Sequence, residues 1–127
     1  MIDKVLQAYL APLIPTVRVM FSRVTPDPDT ALFIIPYGGA RPDTQFNYAY
    51  PSFQVLSRAL LADDAAKHSA LVFSLLQNIK NITILGLEIL EITALQHYYQ
   101  LKIDDRNRIV YVQNFQAHVY EATMYRS

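Results

Sequence analysis

The chain has 127 residues, enough for one domain with a sizeable core, and residues 1–127 are read as a single domain. Eleven basic and eleven acidic side chains cancel, which excludes an overall field favouring nucleic acid, an anionic membrane or an acidic substrate. With no cysteine, disulfides, thiol nucleophiles and thiolate metal sites are excluded together.

Charged residues make up only 17% of the chain against 52% hydrophobic ones, so the surface is poor in charge. Such surfaces tend to associate, which leans toward an oligomer or a component of an assembly. No apolar run approaches the roughly 18 residues that span a bilayer, and Asp3, Lys4 and Gln7 interrupt any signal-peptide core. The expectation is a soluble protein kept in the cytoplasm.

Along the chain, Ile2, Val5, Leu6, Tyr9 and Leu10 fall on one helix face, and Pro12 ends that helix. Thr16 to Val24 alternates as a first strand, with Val17, Val19 and Phe21 on one face. The "TPDPDT" stretch that follows reads as a turn or mobile loop. Ala31 to Tyr37 is short, apolar and partly β-branched, a strand buried on both faces.

Gly38 to Tyr50 lacks a period and reads as a loop. Phe53 and Val55 then alternate with Gln54, Leu56 and Arg58, a strand that passes almost directly into a helix. Asp63 is the expected N-cap, with Asp64 in the first turn. Ala62, Ala65, Ala66, Ser69, Val72, Phe73 and Leu76 form the inward stripe. Strand material runs from Ile82 to Ile103, broken or bulged near Gly86. After the turn at Asp104 to Arg108, a final strand changes its apolar face near Asn114, which suggests a bulge. The expected fold is α+β: an N-terminal helix, a mixed or mainly antiparallel sheet crossed by one long central helix, and a long C-terminal β-hairpin.

Candidate chemistry is sparse. His68, His97 and His118 have no metal-ligand spacing, and an Asp64–His68 pair at i, i+4 is outweighed by a solvated helix face. Gly38 and Gly39 follow a strand, yet no helix opens there and the lysine and hydroxyl of a phosphate loop are missing. Tyr48, Tyr50 and Phe53 with Arg41 and Arg58 could stack bases; the neutral charge favours interface packing instead. Tyr98, Tyr99, Tyr111 and Tyr120 sit at cross-strand spacings. No catalytic residue, metal or cofactor is expected.

The stretches "YPSFQVLSR", "DDAAKHSALVFSLL" and "YYQLKIDDRNRIVYVQNFQAHVYE" resemble the minor capsid and tail terminator family of tailed bacteriophages. Pro51, Gln54, Arg58, Ala66, Leu75, Leu76, Asp104, Arg108 and Phe115 occupy the matching places, while Arg18 to Thr30 matches nothing in it. The resemblance implies a non-enzymatic ring, usually of six copies, seated on the last ring of tail-tube protein. There it would end tube growth and present a surface to the head-completion or connector protein. Assembly would take place in the bacterial cytoplasm and the product would be the virion. Membranes would play no part, and DNA would only pass through the lumen. Phe46, Tyr48, Tyr50 and Arg58 are the expected subunit interface, and Asp104, Asp105, Arg106 and Arg108 the contact to tube or connector. The other class left open is a small binding module for a small molecule or single-stranded nucleic acid, with a pocket lined by Tyr48, Tyr50 and Arg58.

Overall fold

The computed structural model describes residues 2–43 and 48–120, with residues 39–43 described as backbone alone. The described chain is α+β, with two helices and seven strands. In order they are α1 (Ile2–Leu10), β1 (Arg18–Phe21), β2 (Ala31–Asp43), β3 (Tyr48–Ala59), α2 (Ala62–Gln77), β4 (Lys80–Ile84), β5 (Leu87–Ala94), β6 (Tyr99–Ile103) and β7 (Ile109–Tyr120).

All seven strands form one mixed sheet, ordered β1-β2-β3-β7-β5-β4, with β6 also paired to β7. Only β1 and β2 run parallel. One side of β7 pairs with β3 throughout, from Tyr48↔Tyr120 to Ala59↔Ile109. Its other side is shared: β6 takes Ile109 to Val112 and β5 takes Phe115 to Tyr120. The sheet therefore has two halves, one ordered β1-β2-β3-β7-β6 and the other β2-β3-β7-β5-β4. It is curled, because α1 packs on β1 and β2 and also touches β4 at the far end of the strand order.

The main core lies on the face that carries both helices. Val5, Leu6 and Leu10 of α1 meet Val19, Leu32 and Ile34, while Val72 and Leu76 of α2 meet Phe53, Val55 and Phe115. The Phe53 and Phe115 rings, partners across β3 and β7, stack with centroids 5.3 Å apart. Gln113, fully buried, donates from Nε2 to the Ser69 carbonyl at 2.9 Å and ties α2 to the central strand. At the start of α1, Asp3 accepts the Ser22 hydroxyl at 2.8 Å. The helix dipole favours a carboxylate at that end.

Four sequence expectations change. The N-cap of α2 is Leu61, which makes no side-chain cap bond, and Asp63 and Asp64 both lie in the first turn. β3 runs on to Ala59 and leaves only two residues before the helix, so the cap position falls before the aspartates. The buried stripe narrows to Ala65, Ser69, Val72 and Leu76, with Phe73 half-buried.

The stretch from Gly38 to Asp43 continues β2 through two register shifts against β3, and Tyr48 to Tyr50 opens β3. Paired glycines without a helical or alternating pattern hid that continuation. From Lys80 to Ile103 there are three strands. The first two are joined at Leu85 and Gly86, whose φ values of 50° and 82° make the tight turn a hairpin requires.

Finally, the change of apolar face in β7 is not a bulge, since its register with β3 is unbroken. The covering layer changes instead. Phe115, Ala117 and Val119 sit under the helices, whereas Val110 and Val112 point to the opposite face and join a second small core with Ala31, Phe33 and Leu56.

Candidate functional site

That second face carries the features with no helix above them. Over its small apolar core lies the segment Thr25–Asp29, held by three arginines from distant elements. Arg58 of β3 donates to the carbonyl oxygens of Thr25 (2.6 Å), Asp29 (3.3 Å) and Pro28, and its guanidinium sits 4.7 Å above the Phe33 ring. Arg108 at the start of β7 donates to the Pro26 carbonyl, to Asp29 Oδ1 at 3.3 Å and to Asp104 Oδ2 at 2.7 Å. Arg106 reaches the Pro26 carbonyl at 3.2 Å and Asp27 Oδ1 at 3.3 Å.

The segment expected to be a turn or a mobile loop is thus a strap. Its carbonyls match the fork of a guanidinium, which presents several donors in one plane. Arg58 is only 2% exposed and makes no ion pair within 4.0 Å among the described residues; burial, then repulsion from Arg108, pulls its pKa below the ordinary arginine value against the pull of Asp104 and Asp29.

The turn that carries Arg106 and Arg108 is ordered by its own first residue. Asp104 Oδ1 accepts the backbone N–H groups of Arg106 (3.0 Å) and Arg108 (2.9 Å), and Asn107 adopts φ 59° to close the turn. Desolvation pushes the Asp104 carboxyl up, but its bonds from the Arg108 and Arg106 backbones and the Arg108 side chain hold it below the usual carboxylate value. Between strap and turn opens a cleft of about 320 Å³, floored by Phe33, Leu56 and Val110 and rimmed by Lys102, Asp105 and Arg106.

At the other end of β3, on the same face, His118 stacks on Tyr50 with centroids 4.8 Å apart and meets Tyr48 edge-on at 5.0 Å. Tyr48 also meets Tyr120 at 5.7 Å. All four are half-buried, and the His118 Nε2 atom is buried without a hydrogen-bond partner.

Seven of the eight residues singled out in sequence are described, and they separate into three groups. Tyr48 and Tyr50 share a surface with His118, which the sequence reading weighed only as a metal ligand; its place directly opposite Tyr50 in the β3–β7 register was the missing signal. Arg58 lies toward the other end of β3, with its guanidinium bonded to the strap carbonyls. Tyr48 and Tyr50 do not line the cleft that Arg58 lines. Asp104, Asp105, Arg106 and Arg108 stay together, with Asp105 and Arg106 facing outward and Asp104 and Arg108 turned in. Phe46 lies outside the described residues. Among the described residues no cluster of histidine and carboxylate side chains could hold a metal ion, and no helix is long and apolar enough to cross a membrane.

A family model described as "Bacteriophage tail terminator protein" matches residues 7–121. The chain belongs to that family. It is thus a structural phage protein, as its sequence resemblance implied, and the match takes in Arg18 to Thr30, the stretch the resemblance left out. Among solved structures, it is similar in fold to a chain of the "Virion of native gene transfer agent (GTA) particle". The TM-score is 0.65 at 17% identity, over 88% of this chain and 84% of that chain. A second solved chain aligns with a TM-score of 0.56 at 16% identity, over 93% and 89%. No curated protein matches.

Proposed function

We propose that this family member assembles as a ring, six copies in its simplest form, at the head-proximal end of a phage tail. There it ends polymerisation of the tail-tube protein and provides the surface that joins the head-completion or connector protein. The observation that carries this reading is the family match over residues 7–121, and the likeness to a chain from a gene transfer agent virion supports it. The ring needs no catalytic group, which fits a fold whose polar side chains are spent on holding loops.

Within the ring, Tyr48 and Tyr50, with His118 between them, are the proposed contact to an adjoining subunit, because half-buried aromatic side chains are the residue type that anchors interfaces. Asp105 and Arg106 are the proposed contact to tube or connector, steadied from behind by Asp104 and Arg108. Electron microscopy of particles made without this chain tests the assignment: tails of irregular length that fail to join heads are expected. Tails of normal length attached to heads would overturn it.

A further inference from the structure

The two halves of the sheet end differently at their edges. In the half ordered β2-β3-β7-β5-β4, both edges are blunted. The upper part of β2 holds Pro36, which cannot donate, followed by two register shifts; β4 exposes Lys80 and Asn81, the latter at φ 52°.

The half ordered β1-β2-β3-β7-β6 is blunted less: β6 carries Lys102 and a register shift between Gln100 and Lys102, yet leaves large apolar side chains beside them. β6 pairs with β7 alone and all five of its residues are exposed, with Leu101 at 47% and Ile103 at 57%. β1 has β2 as its one strand neighbour; Gln7 Nε2 donates to the Val19 carbonyl at 3.2 Å, so the open part of this edge is at Phe21, which is 38% exposed. An edge that offers both free backbone groups and large apolar side chains is a template for another strand.

The directions of these two edges settle which strand fits. β1 runs with β2 and β7, whereas β3 and β6 run the opposite way. A copy rotated about an axis along the strands keeps these directions, so β6 of one copy meets β1 of the next antiparallel, the more stable of the two pairings. The contact joins two different surfaces of the same chain, which is the kind that closes into a ring.

We propose that β6 and β1 of successive copies pair edge to edge, so that the five-strand halves form one continuous sheet around the ring. The occupant of the β6 edge is a second copy of this chain. In the antiparallel arrangement Ile103 lies near Arg18 of the next copy, and Tyr99 near its Phe21. This inference rests on the ring reading above and adds the seam to it.

The chain has no cysteine, which makes the seam directly testable. Two double variants, R18C/I103C and F21C/Y99C, are oxidised at a concentration where light scattering shows the ring, with tail-tube protein added if the free chain is monomeric. A disulfide forms only where Cα atoms come within about 7 Å. Expected is a covalent ladder extending to the ring size from at least one double variant, and no ladder beyond dimer from a mixture of the two single variants of that pair. No linkage from either pair, while wild type scatters as a ring, would overturn the seam and leave the ring standing. Dimers formed by I103C alone would also overturn it, since they mean that β6 meets β6. A wild-type chain that stays monomeric with and without tube protein would overturn the ring itself.

Discussion

Arg58 shows how much a single side chain can hold here. Its guanidinium satisfies three strap carbonyls and lies over Phe33, so Arg58→Ala leaves those acceptors facing a buried gap. A hydrogen bond to a charged group is worth about 1.5–3 kcal/mol, and the loss expected in a denaturation curve is about 3 kcal/mol. Arg58→Lys keeps the charge but not the fork, and should still lose about 1–2 kcal/mol. Arg106→Ala, with its side chain half in water, should stay within about 0.5 kcal/mol of wild type. His68 supplies a pH-dependent case. Burial pulls its pKa below 6.5, against the opposing pull of Asp64. The folded chain then binds fewer protons than the unfolded one, so this contribution is present above pH 6.5 and is lost as the pH falls through the lowered value. Subtracting the stability curve of His68→Gln from that of wild type should show this loss as the pH drops below 6.5; a flat difference would mean that the imidazole is solvated.

Among the elements, α2 has the most sharply divided faces. Leu76 is fully buried and Leu76→Ala should cost about 2–5 kcal/mol, whereas half-buried Phe73, against His97 and Tyr98, should cost about 1–2 kcal/mol when cut to alanine. Equal losses would mean that the helix is rotated about its axis. Both helices and the strands with strong alternation were legible in sequence because burial on one face leaves a period. The strap was not, because its stability comes from arginines 29 to 82 residues away that bond to backbone carbonyls, and any residue type has a carbonyl. The same limit hid the site. The composition of "TPDPDT" and "DDRNR" reads as two solvated turns, and only the tertiary fold makes them one interlocked surface with a cleft between them. In β7 the pattern was legible but its cause was not, since a change of covering layer and a bulge leave the same trace in the sequence.

For the whole molecule, the clasp decides which variants can probe partner contact. Arg108 is buried in ion pairs with Asp104 and Asp29, so removing it disturbs the fold as well as any interface. The pair Asp105→Ala and Arg106→Ala is the better probe: folding and ring size should be unchanged, while tails become overlong or fail to join heads in electron micrographs. Normal particles from that double variant would show that the outward tip is only a solvated turn.

The position of β7 has a consequence for how the molecule comes into being. It is the last strand described, yet it lies at the centre of the sheet and is the neighbour that β3, β5 and β6 all require. A chain emerging from the ribosome in sequence order holds three strands with unsatisfied edges until residues 109–120 are out. Long-range pairing of this kind is slow to form and exposes sticky edges meanwhile. A nascent chain that has not yet exposed residues 109–120 therefore lacks the centre of its own sheet.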